Sequence, residues 1–209
     1  VLEGIDGAGK STHAARLAAT LKAAGYDVVA SREPTGGPYG RRIRELARNG
    51  RTGVTAEQEL ALFLADRREH VEGVIRPALA AGKVVLLDRY YLSTMAYQGA
   101  LGLDVEEIQA KNEAFAPPPD LALILTLPVR DALTRIAGSR PGGPDAAFEQ
   151  AGYLERVAAI FASMPARFDP SRTVVRLIPA TGSAESVAER LAAEATSRLA
   201  ALNVPRRTA

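Results

Sequence analysis

Apolar positions fall into two kinds of run along this chain. Short, nearly continuous runs occupy residues 27–31, 84–87, 121–127 and 173–178, and a further one ends at Val1-Leu2. Their length suits strands, and three of them have the unbroken apolar character of parallel strands covered on both faces. Between these runs the apolar residues recur at helical spacing. Leu17 and Leu21 share one face of a helix expected over 13–24, and Val187, Leu191, Ala195 and Leu199 form one row of a helix expected over 187–202. Thr55-Ala-Glu-Gln58 is a capping box that opens a long helix running to about Ala81 and stopping at Gly82, and Asp104-Val-Glu-Glu107 opens another. The alternation predicts an α/β fold: a single doubly wound domain over 1–209, with a five-stranded parallel sheet flanked by helices. No internal repeat and no interdomain linker is visible. Segments 33–38 and 138–144 are rich in glycine and proline and read as irregular, the second as a flap between two helices. A buried central strand usually runs about 5–6 residues, so the first strand is expected to begin upstream of Val1.

The chemistry is declared at the front of the chain. Gly4-Ile-Asp-Gly-Ala-Gly9-Lys10-Ser11-Thr12 fits the G-x-x-x-x-G-K-[ST] phosphate loop without a gap. Successive backbone N–H groups in such a loop cradle anionic oxygens, and the following helix adds its positive end. Lys10 offers a cation to the outer phosphates and Ser11 a hydroxyl to Mg²⁺. A dinucleotide fingerprint is disfavoured, because Lys10-Ser11-Thr12 stands where that motif needs small residues. A second constellation follows the run at 84–87: Asp88-Arg89-Tyr90 at the tip of an apolar strand. Asp88 at that place can hold Mg²⁺ or orient a nucleophile, and Arg89 can stabilise a transferring phosphoryl group or an acceptor phosphate. Ser93, Thr94, Tyr97 and Gln98 follow within about a turn of one another if that segment is helical, which offers hydroxyls and one amide to a planar polar ligand. The same spacing is compatible with a half-buried helix that places Tyr97 in the core.

Composition narrows the classes. The 209 residues are 47% hydrophobic and 24% charged, ordinary for a globular protein. Cysteine is absent, which excludes disulfides and thiolate metal sites and agrees with a reducing, cytoplasmic setting. No apolar run approaches the roughly 20 residues of a membrane span. Net charge is +2, and lysine occurs only at positions 10, 22, 83 and 111, so the basic charge is nearly all arginine. Arginine forks suit phosphate, although the abundant alanine gives the excess a compositional reading too. Basic residues are dispersed rather than striped with aromatics, so a nucleic-acid partner is not expected.

The chain resembles the bacterial thymidylate kinase family. The resemblance rests on Glu3-Gly-Ile-Asp-Gly-Ala-Gly-Lys-Ser-Thr12, Arg32-Glu-Pro34, Phe63-Leu-Ala-Asp-Arg67 and Asp88-Arg-Tyr-Tyr-Leu-Ser-Thr-Met-Ala-Tyr-Gln98, with Pro119-Asp-Leu121 and Phe148-Glu149 further on. It implies a P-loop kinase that moves the γ-phosphoryl of ATP to dTMP, giving dTDP for dTTP synthesis, with Mg²⁺ and as a homodimer. It implies that the loop residues Gly4, Asp6, Gly7, Ala8, Gly9, Lys10, Ser11 and Thr12 hold the ATP phosphates and Mg²⁺, with Asp88 as a second metal ligand. Asp6 matches an acid near the acceptor's sugar and phosphate; Glu33 and Pro34 would line the deoxynucleotide pocket, and Arg44 and Arg89 would reach the acceptor phosphate. Phe63 would stack on thymine, Arg67 would bond its carbonyl edge, Thr94 and Gln98 would also read the base, Ser93 would belong to the same substrate site, and Tyr97 would crowd the 2′ position. Phe63 also reads as a core residue, because Leu60, Leu62 and Leu64 flank it in one helix.

Some members of that family carry a catalytic arginine in the phosphate loop, and others supply it from a lid. Asp6-Gly7-Ala8 contains no basic residue, so the resemblance points to the second kind. The lid is expected at about 138–147, with Arg135 and Arg140 as candidate catalytic arginines. The segment departs from the family pattern, since Asp145-Ala-Ala precedes Phe148 where one intervening residue is usual. Two other readings remain open on the sequence: a small phosphotransferase with another acceptor, and a nucleotide-binding switch. The second lacks its expected Asn-Lys-x-Asp base-reading motif, and His13 and His70 are too few and too isolated to suggest a metal site.

Overall fold

The computed structural model describes residues 1–49, 53–137 and 144–206, with backbone alone over 144–150. Five parallel strands form one sheet: β1 (Leu2–Gly4), β2 (Val28–Arg32), β3 (Val84–Asp88), β4 (Leu121–Thr126) and β5 (Val174–Pro179), in the order β2-β3-β1-β4-β5. The five runs seen in the sequence become these strands with ends shifted by a residue or two. β4 lies between two neighbours, and its Ala122, Leu123, Ile124 and Leu125 are buried on both faces, which is why its run is unbroken. The edge strands β2 and β5 mix buried, half-buried and exposed positions instead.

The helices are α1 (Lys10–Ala23), α2 (Pro38–Arg48), α3 (Ala56–His70), α4 (Arg76–Ala80), α5 (Tyr91–Gly99), α6 (Val105–Glu113), α7 (Val129–Ala137), α8 (Pro144–Arg167) and α9 (Ala184–Ala201). α1 and α9 pack against each other, and so do α5 and α8, with α3 beside α5. The capping box at Thr55 is formed: the Thr55 hydroxyl accepts from the Gln58 amide, and the Gln58 side chain accepts from the Thr55 amide. The long helix expected over 55–81 is continuous but passes through one π-helical stretch, Val71–Ile75, between α3 and α4. Asp104 caps α6 by accepting from the Glu106 and Glu107 amides. α2 was not read from the sequence; it begins with Pro38, whose missing N–H costs nothing in a first turn. The expected flap largely falls outside the described residues, which omit 138–143, and 144–147 form the start of α8.

The chain leaves β1 toward β2 on one side, and later leaves β3 toward β4 on the other. The crevice beyond the carboxyl ends of β1 and β3 is therefore the topological switch point, where ligands of open α/β sheets collect. β1 pairs with β3 at Leu2 and Asp88, and the Arg89 amide bonds the Leu2 carbonyl at 3.0 Å. The phosphate loop and Asp88-Arg89 thus emerge side by side at that crevice.

Candidate active site

The loop between β1 and α1 wraps tightly against its surroundings. Gly4 has φ +134°, and a Cβ there would lie 2.5 Å from the Leu125 carbonyl oxygen; Gly7 has φ +80°, and a Cβ there would lie 2.6 Å from the Ala132 carbonyl oxygen. Both glycines are needed by the packing of the loop on β4 and α7 as well as by its turns. Lys10 is buried and donates to the Ile5 carbonyl at 2.7 Å. Burial, with Arg89 nearby, lowers its pKa to about 7. Ser11 donates its hydroxyl to Asp88 Oδ2, and Asp88 Oδ1 is buried with no partner among the described residues.

Arg89 adopts a left-handed backbone, φ +71°, rare for a residue with a side chain. The turn brings its guanidinium onto the loop: Nη2 donates to Asp6 Oδ1 and Nη1 to Ser93 Oγ at 3.1 Å. Its position is secured from below by Glu3. That carboxylate, buried in β1, accepts from the Tyr90 and Ser93 amides and from the Ser93 hydroxyl, closing the amino end of α5. Burial pushes the Glu3 pKa up. Burial opposes charge on Arg89, but Tyr97, Asp6 and Glu3 outweigh it and its pKa is raised. Tyr97 lies under Arg89, with 5.2 Å from guanidinium to ring centre, and its hydroxyl accepts from the Asp6 amide at 3.0 Å.

A cavity of about 570 Å³ opens here, lined among others by Lys10, Ser11, Arg44, Asp88, Arg89 and Arg135. Glu33 and Pro34 form its rim with the loop residues Asp6, Gly7, Gly9 and Thr12, and Ala8 is buried behind it. Arg44 donates to the Pro34 carbonyl at 2.9 Å. The Thr35 amide and hydroxyl both bond the Asp66 carboxylate, fastening this rim to α3. Arg135 reaches the Gly7 carbonyl at 3.4 Å and the Ala180 carbonyl at 3.3 Å. Arg140, the other candidate for the lid cation, lies outside the described residues.

Beside the cavity, α3 and α5 are joined by side chains at four-residue spacing. Glu59, Phe63 and Arg67 follow one face of α3, and Thr94 and Gln98 one face of α5. Arg67 Nη2 donates to Thr94 Oγ1 at 3.1 Å, and Gln98 Nε2 donates to Glu59 Oε2 at 3.2 Å. Phe63 sits between these two rungs, half-buried and outside the core cluster with its packed neighbours. Arg67 is only 1% exposed. Two of its N–H groups go to Glu33 Oε2, at 2.8 and 2.6 Å, and one to Asn112 Oδ1. With the Thr94 bond, four of its five donors are engaged. Glu33 also meets His70 Nδ1 at 3.0 Å, and His70 Nε2 meets the Ser31 hydroxyl at 2.8 Å. The sequence reading brought Phe63, Arg67, Thr94 and Gln98 together, but not Glu3, Glu59, His70 or Asn112. Only Glu3 had a signal, since it opens the motif that carries the resemblance.

A phosphate loop on the central strand, a carboxylate–guanidinium pair at the tip of the next strand, and a cationic cavity between them define a P-loop protein of the phosphotransferase type. The chain belongs to the thymidylate kinase family, whose family model matches residues 2–191. It is 58% identical to the thymidylate kinase of Desulfotalea psychrophila over 164 residues, 78% of this chain and 80% of that one. It is 54% identical to that of Akkermansia muciniphila over 166 residues, 79% and 78% of the two chains. Over 199 residues it is 47% identical to that of Xanthomonas campestris, covering 95% of this chain and 83% of the relative. Among the described residues no helix is long and apolar enough to cross a membrane.

Proposed function

We propose that the protein transfers the γ-phosphoryl group of ATP to the 5′-phosphate of dTMP, giving dTDP and ADP. An oxygen of the acceptor phosphate attacks the γ-phosphorus, and the bond from that phosphorus to the ADP oxygen breaks. The observation that carries this reading is that one cavity joins the phosphate loop to the arginines Arg44, Arg89 and Arg135. Arg89 stands between the loop and α5, donating to Asp6 on one and to Ser93 on the other.

The donor phosphates lie in the loop 4–12, where backbone N–H groups and Lys10 meet them. Ser11 and Asp88 are hard oxygen donors, and the unpartnered Asp88 Oδ1 suits a cation. When bound there, Mg²⁺ neutralises charge on the donor phosphates. Arg89 and Arg44 attract the acceptor phosphate, with Glu33 and Pro34 at its edge. Phe63 stacks on the base, and Arg67, Thr94 and Gln98 read its rim. Tyr97 flanks the sugar. Arg135, with Arg140 from the lid, supplies positive charge as phosphoryl transfer proceeds. The enzyme serves dTTP synthesis in the cytoplasm and works as a homodimer.

ADP release measured across dTMP, dUMP, dCMP, AMP, GMP and thymidine tests the assignment, with dTMP the preferred acceptor. Preference for any other acceptor overturns it, and slow hydrolysis without stimulation by an acceptor would favour a nucleotide switch. Sedimentation of the purified chain tests the dimer.

A further inference from the structure

A glutamine amide is ambiguous by nature, because a half-turn about its last torsion exchanges donor and acceptor. Gln98 is buried, and that ambiguity is removed by one contact. Its Nε2 donates to Glu59 Oε2 at 3.2 Å, and both residues are at most 2% exposed. A carboxylate accepts and does not donate, so turning the amide would set oxygen against oxygen in a buried site. The other end of the amide, Oε1, is buried with no partner among the described residues. An unsatisfied buried acceptor asks for a ligand that brings a donor.

We infer that Glu59 is a positioning residue for nucleobase choice: it fixes Gln98 with its oxygen toward the base, so the site demands a ring N–H there. This inference rests on the dTMP reading above. Thymine and uracil carry a hydrogen on N3, beside the O4 carbonyl. Cytosine reverses both signs, with a bare N3 and an amino group at C4. Arg67 presents only donors, whatever its orientation. A 4-oxo pyrimidine therefore satisfies Gln98 with N3–H and Arg67 with O4. Cytosine would meet acceptor with acceptor and donor with donor. Specificity arises from this repulsive pairing as much as from the attractive one. Glu59 lies one turn before Phe63 and two before Arg67 on α3, so stacking, donor and acceptor are set by one helix face.

Glu59→Gln tests the inference, because it keeps size and shape but offers Gln98 either a donor or an acceptor. In the variant, kcat/KM for dTMP divided by kcat/KM for dCMP falls at least about tenfold, while KM for ATP stays at the parent value. A folded Glu59→Gln protein that keeps the parent ratio overturns the inference. The double variant Glu59→Gln, Gln98→Glu restores a donor–acceptor pair with an acceptor facing the base, and recovers at least part of the lost preference; failure to recover any of it also counts against the inference. A purely structural role for Glu59 would lower the melting temperature and leave the dTMP:dCMP ratio untouched. If the parent itself prefers another acceptor, the functional reading fails; if the parent prefers dTMP and Glu59→Gln changes nothing, the inference alone fails.

Discussion

Two arginine–carboxylate pairs stand in this molecule with nearly the same bond length and opposite surroundings. Arg89 meets Asp6 at 2.5 Å with side-chain exposures of 19% and 54%, whereas Arg67 meets Glu33 at 2.6 Å with exposures of 1% and 3%. The first pair is wet on its acid side, so Arg89 can exchange Asp6 for an incoming anion at little cost. The second is desolvated and stitched into Asn112, Thr94 and His70, so removal of one partner strands a charge in the interior. One bond type therefore serves two ends of the proposed site: loose at the phosphate loop, rigid in the network between α3 and α5.

The sharpest way to break this contrast is Arg67→Met. It leaves the Glu33 carboxylate buried beside His70, and unfolding by denaturant should show a loss of about 3–5 kcal/mol. Arg89→Ala comes next. Turnover should fall at least about 100-fold, while the unfolding midpoint barely moves, because Asp6 stays hydrated. Equal stability losses in the two variants would erase the distinction drawn here. Phe63→Ala should raise KM for dTMP about tenfold or more, as expected for loss of one base–aromatic stack, with KM for ATP unchanged. The smallest effect is a proton count. The Lys10 pKa, lowered by burial to about 7, lies below the unfolded value near 10.4. Between these values the unfolded chain binds the extra proton, so this residue makes stability rise with pH across that window. At pH 8 the free loop lysine is mostly neutral, and a polyphosphate recharges it. Calorimetry of ATP binding in two buffers of different ionisation heat should show uptake of up to about one proton at pH 8 and little at pH 6. Absence of uptake at pH 8 would show that Lys10 is already charged.

The sequence announced the wet half of the site more fully than the dry half, for a physical reason. The phosphate loop is a contiguous stretch whose backbone supplies the ligands, and Asp88-Arg89 ends a strand that its apolar run makes visible. The Ser93–Gln98 cluster was legible as soon as the segment was taken as helical. The buried network is assembled from residues 27 to 45 positions apart: Glu33, Arg67, Thr94 and Asn112 have nothing in local sequence that ties them together. His70 looked isolated because its partners, Ser31 and Glu33, sit on and just after another strand. Phe63 was left between core and site, and its half-burial outside the core cluster favours the site. In the fold, the strands followed from their apolar runs. α2, rich in arginine and short of large apolar residues, did not, although Gly40, Ile43 and Leu46 line its buried face at three-residue spacing; it is held by its contacts with α3.

The closeness of Gly7 to Ala132 reaches beyond packing, to the substitutions this loop can accept. With a Cβ at position 7 already 2.6 Å from the Ala132 carbonyl and the backbone at φ +80°, an arginine there has no room while α7 stays in place. A basic residue can enter the loop at this position only together with a shift of α7, which ties the make-up of the loop to the helix behind it.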